Sequence, residues 1–122
     1  MPMKPVVEST RFGCITINGQ DYEKDIVIRS DGTIEKRNKK LSKEQYGTSH
    51  TVSQAEAAHI FGKGAEKVII GSGQYGVLEL SSQAWRYFRD KGCDVKLLPT
   101  PDAVEEWNDA HGNVVSMFHI TC

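Results

Sequence analysis

Residues 67–76 decide the fold that we expect, and they read Lys67-Val68-Ile69-Ile70-Gly71-Ser72-Gly73-Gln74-Tyr75-Gly76. A short apolar run bounded by glycine is typical of a buried strand. The spacing then predicts a helix over 82–91, a strand over 94–98, a helix from Thr100 and a strand over 114–120. Strands that alternate with helices form βαβ units with right-handed crossovers. Because residues 114–120 are apolar on both faces, we expect the last strand to be central.

The part of the chain before this unit has the pattern of a β-meander. An apolar, β-branched run over 12–17 is followed by Asn18-Gly19. These two residues readily adopt the positive φ angles of a tight hairpin turn. The return strand is predicted near Tyr22 and on through 25–28.

Length and composition restrict the class of protein. The chain has 122 residues, of which 39% are hydrophobic and 25% are charged, which is typical of one soluble globular domain. The net charge of −1 argues against a general nucleic-acid binder. We therefore expect a single three-layer α/β domain over 1–122, in which a β-meander or hairpin layer precedes a βαβαβ unit with a mixed central sheet. Residues 1–10 are expected to form a flexible N terminus.

The cysteines and the sequence ends bear on the compartment. Cys14, Cys93 and Cys122 are odd in number and widely spaced, so they do not form a disulfide framework. Free thiols fit a reducing compartment. No signal-peptide pattern is present, and no apolar run approaches the ~18 residues of a membrane span. We expect a cytoplasmic protein without membrane contact.

The glycine-rich segment 71–76 matches G-x-G-x-x-G and directly follows a predicted strand. Glycine lets the main chain approach an anion, and free N–H groups can bind it. A dinucleotide is disfavoured, because the next helix begins only near Ser82 and no acidic residue ends the next strand. Two interpretations stay open. One is a strained turn that needs glycine for its φ angles. The other is a site for a small anionic ligand, formed by Gly71, Ser72, Gly73 and Gly76.

The loop Thr48-Ser49-His50 is the second candidate for chemistry. A hydroxyl beside a histidine suggests a nucleophile and a base, but adjacent side chains rarely face each other and no orienting third group is evident. A loop held by side-chain bonds to the backbone is the interpretation that we prefer. His119 and Cys122 have H-x-x-C spacing, to which His50 could add a ligand. A structural zinc site needs four ligands, so we expect no metal and no cofactor.

Basic side chains cluster between residues 36 and 43. A solvated loop or a protected sheet edge explains such a cluster. An anion-facing rim is the functional alternative, which Glu35 and Glu44 would weaken.

Two further patterns predict helices. Ser53 with Glu56 has the spacing of a capping box, which predicts a helix start at residue 53. Trp85, Phe88 and Trp107 stand at helical spacing, which predicts that they pack in the core.

Several segments together resemble one known family. They are Arg11-Phe12-Gly13, Asp25-Ile26-Val27-Ile28, Tyr46-Gly47-Thr48-Ser49-His50, Ile69-Ile70-Gly71-Ser72-Gly73 with Gly76, Pro99-Thr100 and Phe118-His119-Ile120-Thr121-Cys122. In this order they resemble the small Mth-type domain family of unknown function, which occurs in archaea and bacteria. Its eukaryotic relatives include an adipogenesis-associated protein and a mitochondrial assembly factor for respiratory complex I (NADH dehydrogenase).

The resemblance covers nearly the whole chain after about residue 10. It implies a compact three-layer α/β domain with a mixed central sheet and an added β-hairpin layer. It implies no reaction. The glycine segment and the 48–50 loop carry over as a candidate pocket, and Lys36, Arg37 and Lys43 match the family's basic stretch.

No acid–base pair, nucleophile triad or metal set is evident in the sequence. We therefore expect a non-catalytic binding or assembly module with a protein partner, present as a monomer or homodimer, without nucleic acid or membrane. The alternative is a protein or enzyme that binds a small phosphate-containing anion. It would use the Gly71–Gly76 turn, the Thr48–His50 loop and His119.

Overall fold

The computed structural model describes residues 4–122, which form ten strands and four helices. The strands are β1 (Val7–Arg11), β2 (Cys14–Ile17), β3 (Gln20–Tyr22), β4 (Ile26–Ile28), β5 (Ile34–Lys36), β6 (Thr51–Val52), β7 (Lys67–Ser72), β8 (Glu79–Leu80), β9 (Asp94–Leu98) and β10 (Val114–His119). The helices are α1 (Lys40–Tyr46), α2 (Gln54–Phe61), α3 (Ser82–Asp90) and α4 (Thr100–Asp109). None of these helices is long and apolar enough to cross a membrane.

The central sheet has five strands in the order β5-β4-β10-β7-β9. Strands β7, β9 and β10 are parallel, with α3 and α4 as their crossovers, whereas β4 and β5 pair antiparallel. The predicted βαβαβ unit and mixed sheet are confirmed. Strand β10 lies in the middle, and all six of its residues are buried, as its apolar pattern predicts.

The sheet separates two apolar cores. Alternate residues of β7 and β10, among them Val68 and Met117, pack on one face with α2 and α3. The intervening residues, among them Ile69 and Phe118, face α4 and the three-stranded sheet β1-β2-β3. Side chains alternate between the faces of a strand, so one sheet serves both cores. The result is the predicted arrangement of three layers.

The hairpin layer differs from the prediction in where its return strand ends. The turn is confirmed, since Asn18 and Gly19 have φ angles of 49° and 80°. The chain leaves this sheet after Tyr22, and β4 joins the central sheet instead. All three β4 residues are buried, so they need a sheet that is covered on both faces.

The flexible N terminus expected over 1–10 stays a prediction: residues 1–3 lie outside the described part, and Lys4, Pro5 and Val7 contact helix α4. The main chain of Val7 bonds to the Asn108 side chain through both its N–H and its oxygen, at 3.0 and 2.9 Å. Trp107 Nε1 donates to the oxygen of Pro5 at 2.9 Å, and the Lys4 ammonium lies 4.5 Å from the Trp107 ring centroid. These contacts with α4 are distant in sequence, so local composition could not predict them.

Two predictions for the helices have different outcomes. The start of α2 is confirmed, because Ser53 Oγ accepts a hydrogen bond from the Glu56 N–H at 3.1 Å. Phe88 and Trp107 are buried as predicted, but Trp85 is 42% exposed. The prediction that Trp85 packs in the core is therefore wrong, because α3 turns that side chain towards solvent.

Candidate functional site

The structure brings four of the sequence-predicted site residues together. His119 ends β10 beside Ser72, which ends the parallel strand β7. The rings of His50 and His119 meet edge to face, with centroids 5.4 Å apart. A Cβ atom placed on Gly73 would lie 3.0 Å from His119 Cδ2. The glycine turn, the 48–50 loop and His119 thus surround one point at the carboxyl ends of the parallel strands.

The N–H groups of residues 73–78 all have partners within the chain. Gly73 donates to Thr100 Oγ1 at 2.9 Å, and Gln74 donates to the oxygen of Thr121 at 2.7 Å. Tyr75 and Val77 both donate to the oxygen of Cys122, at 3.1 and 3.2 Å. The remaining two groups, those of Gly76 and Leu78, bond to the oxygens of Gly73 and Ser72. The donors that an anion would need are engaged by the chain itself.

Glycine is required in this turn by close approach to neighbouring chain segments. A Cβ atom on Gly73, whose φ is +103°, would lie 2.2 Å from the main-chain carbon of Cys122. A Cβ atom on Gly71 would lie 2.8 Å from Thr100 Oγ1. Both distances are below van der Waals contact. Gly73 and Gly76 also have the positive φ angles of the strained-turn interpretation, whereas Gly71 is required by close approach alone.

The loop Thr48-Ser49-His50 is held by bonds to and from its main chain. Thr48 Oγ1 accepts a hydrogen bond from the His50 N–H at 3.1 Å. The oxygen of Ser49 accepts from Arg37 Nη2 at 2.7 Å, and the oxygen of His50 accepts from the Glu79 N–H at 2.9 Å. The Thr48 side chain thus bonds to the backbone of its own loop, which agrees with the interpretation of this segment that we prefer.

Sequence reasoning missed a buried ionic network centred on Arg37. Its Nε and Nη2 atoms donate to Glu56 Oε2 and Oε1 at 2.6 and 2.9 Å, and Nη1 donates to Asp25 Oδ2 at 2.9 Å. Arg37 is 2% exposed, so the interpretation of the whole 36–43 run as a solvated edge is wrong at this residue. The only signal available was that Asp25 directly precedes an apolar strand and Glu56 lies in an alanine-rich helix.

Asp25 links this network to His119. The Nδ1–H of His119 donates to Asp25 Oδ2 at 2.7 Å, and the N–H of Ile120 donates to Oδ1 at 3.0 Å. Burial raises the pKa of Asp25, but the hydrogen bond and charge of His119 and the bonds from Ile120 and Arg37 outweigh it. The pKa of Asp25 is therefore lowered to about 2. The carboxylate stays ionised at neutral pH, and His119 Nε2 faces Thr121 Oγ1 at 3.3 Å.

Ser42 completes the polar network between α1 and α2. Its hydroxyl donates to Glu56 Oε1 and accepts from the Ser53 N–H at 3.0 Å. In an ordinary capping box the glutamate would take that N–H itself. Within residues 4–122 no buried side-chain nitrogen or oxygen lacks a partner. A network of this kind fixes the packing of the elements that it joins.

Two observations concern the metal-ligating and thiol side chains of the described residues. Residues 4–122 contain no group of three His, Cys, Asp or Glu side chains placed to hold a metal ion. Burial, with a smaller contribution from Asp94, raises the pKa of the Cys93 thiol to about 11. A thiol in that state is a poor nucleophile.

An exposed apolar surface, which the sequence did not indicate, lies beside the glycine turn. The rings of Phe12 and Tyr75 have centroids 6.3 Å apart and are tilted by 42°. Phe12 is 58% exposed, Tyr75 is 78% exposed, and Val77 on the same turn is also exposed. We refer to Phe12, Tyr75 and Val77 as the aromatic patch.

The architecture defines a class of protein, a mixed α/β domain with a β-hairpin layer packed on one face of its central sheet. Residues 7–118 match the family model described as a protein of unknown function, DUF498/DUF598, and the chain belongs to this family. The resemblance to the Mth-type domain family is confirmed by solved structures.

The chain is similar to the conserved hypothetical protein PH1505 from Pyrococcus horikoshii OT3, with 32% identity and a TM-score of 0.88 over 98% of this chain and 100% of that one. It is similar to the protein MT938, with 33% identity and a TM-score of 0.82 over 98% and 100% of the two chains. A Mth938-like domain protein from Bordetella pertussis, solved in solution by NMR, shares the fold, with 16% identity and a TM-score of 0.67 over 95% and 85%.

Proposed function

We propose that this chain is a non-catalytic protein-binding module and that the aromatic patch is its docking surface. One observation carries the proposal: the rings of Phe12 and Tyr75 are paired while each residue is more than half exposed to solvent. Single exposed apolar residues are common, but clustered exposed aromatic side chains are characteristic of interface anchors. The partner would present apolar side chains to this patch.

The backbone around the patch is held in place before any partner arrives. The Gly13 N–H donates to the oxygen of Ile120 at 2.7 Å, which fixes the turn that carries Phe12. Gln74 Nε2 donates to Thr10 Oγ1 at 2.9 Å and joins the two segments of the patch. A preorganised surface loses less conformational entropy on binding, which favours affinity.

The buried network supports the role of the domain as a rigid platform for the patch. Arg37, Asp25, Glu56 and His119 form hydrogen bonds with one another and with their neighbours, so they act as a frame for the surface. The free state of Cys14, Cys93 and Cys122 supports a reducing, cytoplasmic setting for the partner.

Quantitative affinity capture from native extract tests the proposal. The wild type is compared with Phe12→Ser/Tyr75→Ser and with Trp85→Ser, which removes an exposed aromatic side chain on α3. We expect a protein recovered in constant ratio with the wild type and Trp85→Ser, and lost with the double variant. Titration of that purified protein by calorimetry should show the same pattern.

Two outcomes would overturn the proposal. One is recovery of the same proteins with the double variant, or of none above background with the wild type. The other is sedimentation of the purified wild type as a dimer that the double variant does not form. In that case the occupant of the patch is a second copy of the chain.

A further inference from the structure

A cleft of about 590 Å³ opens next to the buried network, and four of its eight lining residues are lysines. Its lysines are Lys36 on β5, Lys39 in the connection, and Lys40 and Lys43 on α1. We refer to it as the lysine cleft. Lys36, Lys40 and Lys43 are exposed, and no apolar packing requires their side chains to be there.

The positive charge of the lysine cleft is largely unbalanced. Lys36, Lys40 and Lys43 have no carboxylate within 4.0 Å among residues 4–122. Glu35, the acidic residue that lines the cleft, forms an ion pair with Arg29. Lys39 lies 3.8 Å from Asp25 Oδ2, a carboxylate oxygen that Arg37 and His119 already share. A concave surface of one charge focuses the field and attracts a counter-ion.

This concentration of charge is unusual for the chain as a whole. The sequence has 15 basic and 16 acidic residues, so the excess in the cleft is compensated elsewhere on the molecule. A polymer such as duplex nucleic acid would meet that compensating charge, whereas a small ligand inside the cleft would not. The volume lies within the roughly 300–1,000 Å³ typical of small-molecule sites.

A second cleft, of about 720 Å³, adjoins the first and shares Glu35 and His59 with it. Its lining combines the apolar side chains of Phe61 and Val115 with charged side chains of both signs, those of Arg29, Asp31, Glu35 and Lys63. It can therefore receive a further polar part of a ligand whose anionic groups lie among the lysines.

We propose that the lysine cleft binds a small molecule that carries two or more phosphate groups. Lysine ammonium groups bind phosphate as point charges from variable directions, which suits four side chains on two elements and their connection. The sequence pattern suggested the Gly71–Gly76 turn as the place for such an anion, but the N–H groups of that turn are engaged. The geometry points to the lysine cleft, and this proposal is independent of the aromatic patch.

Isothermal titration of the wild type with sodium tripolyphosphate, at constant ionic strength, tests the site. The diagnostic variant is Lys40→Gln/Lys43→Gln. The matched control is Arg86→Gln/Lys91→Gln, which removes the same charge at exposed positions of α3 and its end. We expect the dissociation constant to rise at least about tenfold in the diagnostic variant and to change less than about twofold in the control. Both double variants should have the melting temperature of the wild type, because the substituted side chains are exposed.

Two sources of phosphate are distinguished by flotation with vesicles that contain a bisphosphorylated inositol lipid. Vesicle binding that tripolyphosphate displaces would assign the ligand to a lipid headgroup, and binding only of the soluble anion would assign it to a free metabolite. Absence of both, or equal weakening in the two double variants, would overturn the proposal. A loss of binding in His50→Gln that the lysine variant does not share would place the anion at the 48–50 loop instead.

Discussion

The guanidinium of Arg37 holds the carboxylate of Glu56 by two hydrogen bonds, of 2.6 and 2.9 Å, in a region that solvent does not reach. Its third nitrogen reaches Asp25, so one cation is shared between the residue before β4 and helix α2. Paired N–H donors fix both distance and orientation. The pair therefore sets how α2 lies against the edge of the sheet, and its loss would leave a buried charge unbalanced.

The first prediction concerns that pair. Glu56→Gln keeps the shape of the side chain but removes its charge, so the free energy of unfolding should fall by about 3–5 kcal/mol. The control is Glu35→Gln, which breaks the partly exposed pair with Arg29 and should cost less than about 1 kcal/mol. Urea unfolding at pH 7 measures both. Equal losses in the two variants would contradict the dominant role of the buried pair.

The second prediction concerns acid stability. The pKa of Asp25 is about 2 in the folded protein and 3.8 ordinarily, so the unfolded chain takes up a proton first as the pH falls. The lowered pKa of Asp25 contributes about 2 kcal/mol to the free energy of unfolding. This contribution is present in full above about pH 5 and is lost progressively towards pH 2. Urea unfolding between pH 5 and pH 2 should show a steeper loss for the wild type than for Asp25→Asn. Parallel curves would contradict the lowered pKa.

The third prediction compares two glycines with positive φ angles. Gly73→Ala would force a Cβ atom to within 2.2 Å of Cys122, whereas Gly92→Ala meets nothing within 4 Å. We expect the free energy of unfolding to fall by more than about 3 kcal/mol in Gly73→Ala. In Gly92→Ala it should fall by about 1 kcal/mol, from backbone strain alone. Chemical denaturation monitored by circular dichroism distinguishes them. Similar losses would mean that residues 121–122 do not close on the turn.

The fourth prediction concerns the two tryptophans. In Trp85→Phe the remaining Trp107 is buried, so its fluorescence should be blue-shifted and insensitive to iodide. In Trp107→Phe the remaining Trp85 should be quenched. The free energy of unfolding of Trp107→Phe should also fall by about 1–3 kcal/mol, because the hydrogen bond to Pro5 is removed from a packed site. Equal quenching in the two variants would contradict the assigned orientation of α3.

The sequence was informative where a structure depends on neighbouring residues. The turn at Asn18-Gly19 follows from which residues tolerate positive φ, and the start of α2 follows from a hydroxyl three residues before a free N–H. The central position of β10 follows from its continuous apolar composition. These signals are local, and tertiary packing agrees with each of them.

The sequence was not informative where distant segments decide the outcome. Arg37 stands among solvated lysines, and its burial depends on Asp25 and Glu56 meeting at one point in space. The main chain of β1 forms hydrogen bonds with the Asn108 side chain of α4, about a hundred residues later in the sequence. Trp85 has the spacing of a core residue, and only the direction in which α3 packs exposes it.

In the candidate site, too, the sequence indicates the individual segments but not how distant segments come together. The sequence indicated the glycine turn, the 48–50 loop and His119 separately, and it contained no distance between them. The glycine turn and His119 are close because β10 runs parallel to β7, so that His119 and Ser72 end at the same edge. The 48–50 loop is brought there by the pairing of β6 with β8. The main-chain oxygens that engage the N–H groups of Gln74, Tyr75 and Val77 come from residues 121–122, and no spacing rule connects these segments.

The central position of β10 has a consequence for synthesis on the ribosome. Strands β4 and β7 are made early but are not neighbours; each pairs with β10, which occupies residues 114–119. Until translation has passed that segment, the apolar edges of both strands lack their partner. The nascent chain therefore cannot complete its sheet strand by strand, and it is most prone to aggregate in the interval before β10 emerges.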